Sequence, residues 1–359
     1  MKGIIKVMLN VAIVGCGNIA QTSYIPAFKK LAQIVTGVET NKERRGFIEN
    51  EFGIPCVPTI RELPPQEMIV IATPPHVHLE NTKAVLAQHW RTNTKIICEK
   101  PATIKESQLP LFREIIEQHS NLLLADHWYA RLFALADMIQ THIPQSKWGH
   151  ISQLSGYLIE PSTTNEKGEP CPLDFSTGKP DERPWIHEHP NGVVLDTAIH
   201  PANLLLGLTT ILKKEEQIIE LNAQESQLTD RFGHSIKTGN HSTAEGHAIL
   251  HGQINHIPTM IEVNKYGGQE SKKGCIVEFN NGCMAQVFRS PQGDVYRILS
   301  SCGGVITEKT DPRPLYQTFI EDFLLNSRIF DATKLLKKLN FNQINLIECL
   351  LKLQQTIRG

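Results

Sequence analysis

Between residues 11 and 126 the sequence alternates short apolar runs with stretches of helical periodicity, joined by short loops. "VAIVG" (11–15) is continuously apolar, as a central strand buried on both faces of a parallel sheet must be. "IVTGVE" (34–39), "MIVIAT" (68–73), "KIICEK" (95–100) and "NLLLAD" (121–126) repeat the signal. Helices are expected over 18–33, with a break or kink at Pro26, and over 41–53, 78–89 and 106–119. Such alternation folds into a doubly wound parallel sheet. At 359 residues the chain is long enough for two domains, expected over 1–126 and 127–359.

The pattern changes beyond residue 127. A helix is expected over 131–143, then a long irregular segment over 160–192, a helix over 193–208, and mostly strands from about 245 to 307. Within those strands "CIVEF" and "MAQVF" flank "NNGC", the signature of a hairpin with a glycine turn. Helices over 313–326 and 340–357 complete an α/β domain with an antiparallel or mixed sheet. The overall fold class is therefore α/β, a doubly wound parallel sheet followed by this second domain.

Net charge is −1, so no strong field favours nucleic acid or an anionic membrane. No window reaches the ~18 uninterrupted apolar residues of a membrane span. The start, "MKGIIKVMLNVAIVG", has the lysines and apolar run of a secretion signal, but the run ends in a glycine turn without a small-residue cleavage site. The eight cysteines form no C-x-x-C pair and read as reduced thiols of a cytoplasmic protein.

The turn "GCGNIA" (15–20) lies between the first strand and the first helix. Gly15 permits a tight turn, Gly17 lets the backbone approach a pyrophosphate, and Ala20 lets the helix pack close to the strand. The helix N-terminus then turns N–H groups and a positive dipole end toward the phosphates. Glu39, 24 positions past Gly15 at the end of the next strand, suits the adenosine ribose hydroxyls and repels a 2′-phosphate. That favours NAD over NADP, although Lys42, Arg44 and Arg45 follow closely and are able to neutralise a phosphate.

Two further segments bear on chemistry. In "CEKPAT" (98–103), Lys100 ends a parallel strand, where open α/β sheets bind ligands, and can bond a substrate hydroxyl or take its proton. In "NGVVLDTAIHPAN" (191–203), Asp196 and His200 are four apart and share one face of a helix with Asn203. Histidine carries protons near neutral pH, and a neighbouring carboxylate orients it or a substrate hydroxyl.

The glycine turn, "ATPPHVH" (72–78), "EKP" (99–101) and a glycine turn leading to Asp-x-x-x-His resemble, in order and spacing, the glucose–fructose oxidoreductase / myo-inositol dehydrogenase (Gfo/Idh/MocA) family over nearly the whole chain. The resemblance implies a Rossmann domain followed by an α/β domain with an open, mostly antiparallel sheet. It implies a dehydrogenase using NAD or NADP on a sugar, cyclitol or sugar derivative. It also assigns residues. Gly15, Gly17, Asn18 and Ile19 line the pyrophosphate turn, and Glu39 meets the ribose. Thr73, Pro74 and His78 lie on the nicotinamide side, and Glu99 sits at the nicotinamide and substrate. Lys100 meets the reacting hydroxyl, His200 is the acid–base residue, and Asp196 holds a neighbouring hydroxyl. "DHWYAR" (126–131) falls where the family has a substrate-side segment, which puts Tyr129 or Arg131 near substrate. The chain departs from the family in having Asn191 and Gly192 where a run of glycines is common, and Asn203 where an acidic residue is common.

In "DERPWIHEH", Trp185 is suited to stacking on a sugar ring and Arg183 to meeting a carboxylate or phosphate. The histidines at 241, 247, 251 and 256, and those of "HEH" (187–189), invite a zinc reading, but they lack a cysteine cluster or tight spacing, and no metal is expected. An open sheet face needs cover, so a homodimer or homotetramer is expected. Two alternatives stand beside the dehydrogenase: a redox-neutral glycosidase with tightly held NAD, and a nucleotide-sensing protein without catalysis.

Overall fold

The computed structural model describes residues 8–31, 33–88, 90, 94–143, 150–174, 178–181, 187–189, 192–269, 271–325 and 328–359. The chain divides into two units, Met1–Ala125 with Tyr316–Asn340, and Asp126–Leu315 with Phe341–Gly359.

The first unit holds β1 (Asn10–Val14), β2 (Ile34–Val38), β3 (Cys56–Val57), β4 (Met68–Ile71), β5 (Lys95–Cys98) and β6 (Leu122–Leu124). They form a parallel sheet in the order β3-β2-β1-β4-β5-β6. Val11, Ala12 and Ile13 are completely buried, which is why β1 reads as an unbroken apolar run. The chain winds outward from β1 to β3, then returns beside β1 as β4. The loops leaving β1 and β4 therefore part at the carboxyl edge of the sheet, where such folds bind ligands.

The first helix changes its winding beside Pro26. A π-helical turn, Ala20–Tyr24, with the Ile25 N–H bonded to the Ala20 carbonyl, runs into α1 (Ile25–Lys30). Pro26 sits in the first turn of α1, where its missing N–H costs little. The other helices of this alternation are α2 (Lys42–Phe52), α3 (His78–Leu86) and α4 (Leu109–Gln118). Asn41 caps α2 by accepting from the Arg44 N–H at 2.9 Å, and Gly53 ends it in the left-handed conformation. The helix expected over 313–326 is a short α-turn, Leu315–Thr318, followed by a π-helical stretch, Phe319–Leu325. The last helix spans Thr333–Arg358 and starts earlier than expected. Its Asn340 accepts from the Leu124 N–H and donates to the Leu122 carbonyl, both at 2.8 Å, and so satisfies the outer edge of β6.

The second unit begins with α5 (Tyr129–His142), β7 (Ile151–Ile159), β8 (Ser162–Thr164), β9 (Pro170–Asp174) and β10 (Lys179–Pro180). The last three pair as a small antiparallel sheet inside the segment expected to be irregular. Then come α6 (Val193–Asp196), α7 (Ile199–Lys213), β11 (Ile219–Leu221), β12 (Gln227–Thr229), β13 (His247–Ile254) and β14 (Ile257–Asn264). β15 (Lys272–Phe279), β16 (Met284–Ser290), β17 (Gly293–Leu299) and β18 (Val305–Asp311) follow. The large sheet runs β11-β13-β14-β7-β15-β16-β17-β18, with β12 also on β13. Its pairs are antiparallel except β7 with β14. The expected hairpin around "NNGC" is β15–β16.

Residues 193–208, expected as one helix, are two. Pro201 has no N–H to give and would break a helix begun at 193, but it is tolerated in the first turn of α7. Gly156 on β7 lets α7 lie against the sheet, since a Cβ there would stand 2.7 Å from the Pro201 Cβ. No helix among the described residues is long and apolar enough to cross a membrane.

Candidate active site

In the first unit the turn after β1 is made of backbone. The Gly15 N–H donates to the Val38 carbonyl at 2.8 Å, and Gly15 itself has φ +90. A Cβ at Gly15 would come 2.6 Å from the Thr73 Cγ2, so glycine is demanded by both conformation and space. Gly17 is different. Nothing lies within 4 Å of the place its Cβ would occupy. The Gln21 N–H bonds the Gly17 carbonyl at 3.1 Å, so the helix starts there with the N–H groups of Asn18 and Ile19 ahead of its first bond. Open space at Gly17 beside those donors fits a pyrophosphate.

Glu39 is buried at the carboxyl end of β2. Its carboxylate accepts from the Cys16 N–H at 3.3 Å and the Asn41 N–H at 3.0 Å, and pairs with Arg44 at 3.3 Å. Arg45 donates to the carbonyls of Glu39 and Thr40. A carboxylate beside the glycine turn fits an adenosine ribose.

Thr73 and exposed Pro74 follow β4, and the Thr73 hydroxyl accepts from the Asn81 amide at 3.0 Å. His78 is completely buried, with Nδ1 2.9 Å from the Pro101 carbonyl and Nε2 2.6 Å from the Thr73 carbonyl. It ties the loop after β4 to the loop after β5. Burial pushes its pKa down to about 4, so at neutral pH the ring is uncharged and donates to one of the two carbonyls. Glu99 is buried and accepts from the Tyr24 hydroxyl at 2.5 Å, the Lys100 N–H at 3.0 Å and the Tyr316 hydroxyl at 3.5 Å. Lys100 is half-buried and leads into Pro101.

In the second unit the polar groups converge as side chains. His200 Nδ1 lies 2.7 Å from Asp126 Oδ1, and the Asn203 amide donates to Asp126 Oδ2 at 3.1 Å. The Trp128 N–H also donates to Asp126 Oδ1, at 3.0 Å. The Trp128 ring stacks on the His200 imidazole with 5.7 Å between centroids, and His127 meets it edge-on at 4.6 Å. Burial opposes ionisation of Asp126, yet the His200 imidazole and its hydrogen bond, with help from His127 and the Trp128 amide, hold the carboxyl well below the usual carboxylate range. Atoms of Asp126, His127 and His200 lie within 4.8 Å of one another, the one group with metal-site spacing among the described residues.

Asp196 and His200, expected to share one face of a helix, stand on two, α6 and α7. Asp196 ends α6, its carboxylate 2.6 Å from the Lys265 ammonium, while the carboxylate bonded to His200 is that of Asp126. The break before α7 means that the spacing of four no longer puts the two on one helix face. Asn203 does join His200, on the Asp126 carboxylate. Sequence reasoning missed Asp126, although its place two residues after β6 and three before α5 marks a ligand-binding strand end.

Tyr129 and Arg131, expected near substrate, are buried. Arg131 makes a two-pronged pair with Asp294, at 3.1 and 2.9 Å, and lies over the Trp128 ring. Burial pushes the Tyr129 phenol far above its ordinary pKa. Arg183 and Trp185 lie outside the described residues.

Residues 9–127 match the model of the oxidoreductase family with NAD-binding Rossmann fold, GFO_IDH_MocA. This segment belongs to the Gfo/Idh/MocA oxidoreductases. It is an NAD-binding module, and the glycine turn and Glu39 lie within it. No curated protein matches the chain by sequence. Solved structures of this family's fold match over nearly full length. UDP-N-acetylglucosamine 3-dehydrogenase from Acidithiobacillus ferrooxidans is similar with TM-score 0.64 at 14% identity, covering 98% of each chain. Levoglucosan dehydrogenase in complex with NADH and levoglucosan gives TM-score 0.64 at 14% identity, over 97% of this chain and 98% of its own. A Gfo/Idh/MocA family oxidoreductase from Vibrio cholerae gives 0.59 at 15% identity, over 97% and 99%.

Proposed function

We propose that this oxidoreductase oxidises a secondary alcohol of a sugar, cyclitol or sugar derivative with NAD, or reduces the corresponding ketone. The reading is carried by one observation: a buried imidazole, that of His200, hydrogen-bonded to the buried Asp126 carboxyl group, in a chain whose residues 9–127 match an NAD-binding family model. The similarity in fold to two enzymes named for sugar substrates supports the substrate class.

Gly15, Gly17, Asn18 and Ile19 hold the pyrophosphate through backbone N–H groups, and Glu39 takes the ribose hydroxyls and disfavours a 2′-phosphate. Thr73, Pro74 and Glu99 shape the nicotinamide end, with His78 bracing the loop beneath. The bound nicotinamide supplies hydride acceptance. His200 takes the hydroxyl proton, directly or through Lys100, and the Lys100 ammonium stabilises the developing alkoxide. Asp196 holds a neighbouring hydroxyl. The active protein is a homodimer or homotetramer, which light scattering checks.

The test is nicotinamide absorbance with NAD and with NADP across cyclitols, sugars, amino sugars, sugar acids, sugar phosphates and nucleotide sugars. The expected result is turnover with one class, faster with NAD, falling about 10²–10⁴-fold in Lys100→Met while the fold is kept. Undiminished turnover in that variant removes Lys100 from the chemistry. Cofactor binding without net reduction, together with cleavage of a glycoside, replaces the dehydrogenase by the redox-neutral glycosidase.

A further inference from the structure

We infer that Asp126 is the positioning residue for His200: it fixes the imidazole as the Nδ1–H tautomer and stabilises the imidazolium formed when a proton is taken up. The inference rests on the proposed role of His200 as proton acceptor, and it leaves Asp196 its proposed role of holding a neighbouring hydroxyl.

The argument is one of donors and acceptors. Asp126 is completely buried. One of its oxygens receives the Trp128 N–H and the other receives the Asn203 amide. An ionised carboxylate only accepts hydrogen bonds. His200 Nδ1, at 2.7 Å, must therefore bring the proton to that contact. With Nδ1 protonated, the lone pair of the neutral ring is on Nε2, which becomes the basic nitrogen. The indole of Trp128, nearly parallel to the imidazole at 17°, holds the ring plane. When Nε2 takes a proton, the charge formed lies against a carboxylate already desolvated and hydrogen-bonded, so little reorganisation is needed. Asp126 and Trp128 lie just before α5 while His200 and Asn203 come from α7, so the arrangement is held within the second unit.

The same side chains have the spacing of a metal group. A metal bound through His200 Nδ1 would need that nitrogen deprotonated, whereas its short contact is to a carboxylate oxygen.

The experiment starts with the cofactor-free wild-type protein. Nitrogen-15 imidazole NMR, with the signal assigned by its loss in His200→Gln, is expected to show His200 as the Nδ1–H tautomer. Observation of the Nε2–H tautomer overturns the inference, whatever the substrate proves to be. Asp126→Asn preserves shape, because Asn203, whose Oδ1 is buried without a hydrogen-bond partner, can turn its amide over to accept from the new amide. Removing the charge is expected to shift the His200 population toward Nε2–H. Turnover should fall about 10²–10⁴-fold in kcat, with KM within about twofold. Unchanged kcat in a folded Asp126→Asn protein overturns the positioning role. One equivalent of zinc retained through dialysis against chelator, and lost in Asp126→Asn, overturns it in favour of a metal centre. If no substrate is found, the wild-type tautomer still decides the inference, so its failure is separable from that of the proposed reaction.

Discussion

The glycine turn of the first unit and the Asp126–His200 cluster of the second solve the same problem, that of placing polar groups at the end of an apolar scaffold, in opposite ways. The turn is local. Its groups are backbone N–H donors from residues 15–21, and its requirements are the absence of atoms at Gly15 and Gly17. The cluster is non-local. Asp126 and His200 are 74 positions apart, and the supporting pair of Arg131 with Asp294 spans 163. A site made of backbone fails when atoms are added. A site made of side chains fails when atoms are removed.

The largest effect should follow removal from the non-local region. Arg131→Met leaves the Asp294 carboxylate buried with its main partner gone, and half-buried Arg289, at 3.3 Å, is the one cation left paired with it among the described residues. Urea denaturation is expected to show a loss of about 3 kcal/mol. If stability were unchanged, the contrast with the glycine turn would lose its energetic basis. Arg131→Met with Asp294→Leu should recover part of the loss, since no unpaired charge is then left inside.

Acid provides a second test, within the first unit. The folded pKa of His78, about 4, lies below the ordinary value of 6.5. Between these values the unfolded chain binds the additional proton, so stability is fully present above about pH 6.5 and is lost as pH falls toward 4. The expected loss is up to about 3 kcal/mol from this one group, read as the difference between wild type and His78→Gln in denaturation curves taken from pH 7 to pH 4. Parallel curves for the two proteins would mean that His78 does not tie the two loops as a neutral ring.

The smallest effect on the fold is expected where atoms are added to the open side of the glycine turn. Gly17→Ala meets nothing in the protein, so thermal unfolding should be unchanged, while NAD affinity by calorimetry falls about tenfold, equivalent to about 1.4 kcal/mol. Gly15→Ala, strained by φ +90 and crowded by Thr73, should lower stability as well. Equal behaviour of the two variants would break the distinction between a glycine kept for the fold and one kept for a ligand.

The same contrast explains what could be read from the sequence. The alternating sheet of the first unit was legible because fully buried parallel strands are unbroken apolar runs, and the glycine turn because its demands fall on neighbours in sequence. The return of residues 316–340 to the first unit had no such signal, since Asn340 reaches β6 across more than two hundred positions. The break before α7 was written in Pro201 but outweighed by apolar periodicity. Asp126 is invisible to spacing rules because its partner lies on another element, and the nearer carboxylate, Asp196, bonds Lys265 instead.

The π-helical turn at Ala20–Tyr24 also governs how this helix can change in length. Its wider coil sets the angular phase between the glycine turn and Tyr24, whose hydroxyl bonds Glu99. Each residue of an ordinary helix advances the side chains by about 100°. Deleting one residue between Gly17 and Tyr24 would close the wide coil to an ordinary turn and re-aim the phenol relative to Glu99. The length of this stretch, and not only its residues, therefore sets where the phenol stands.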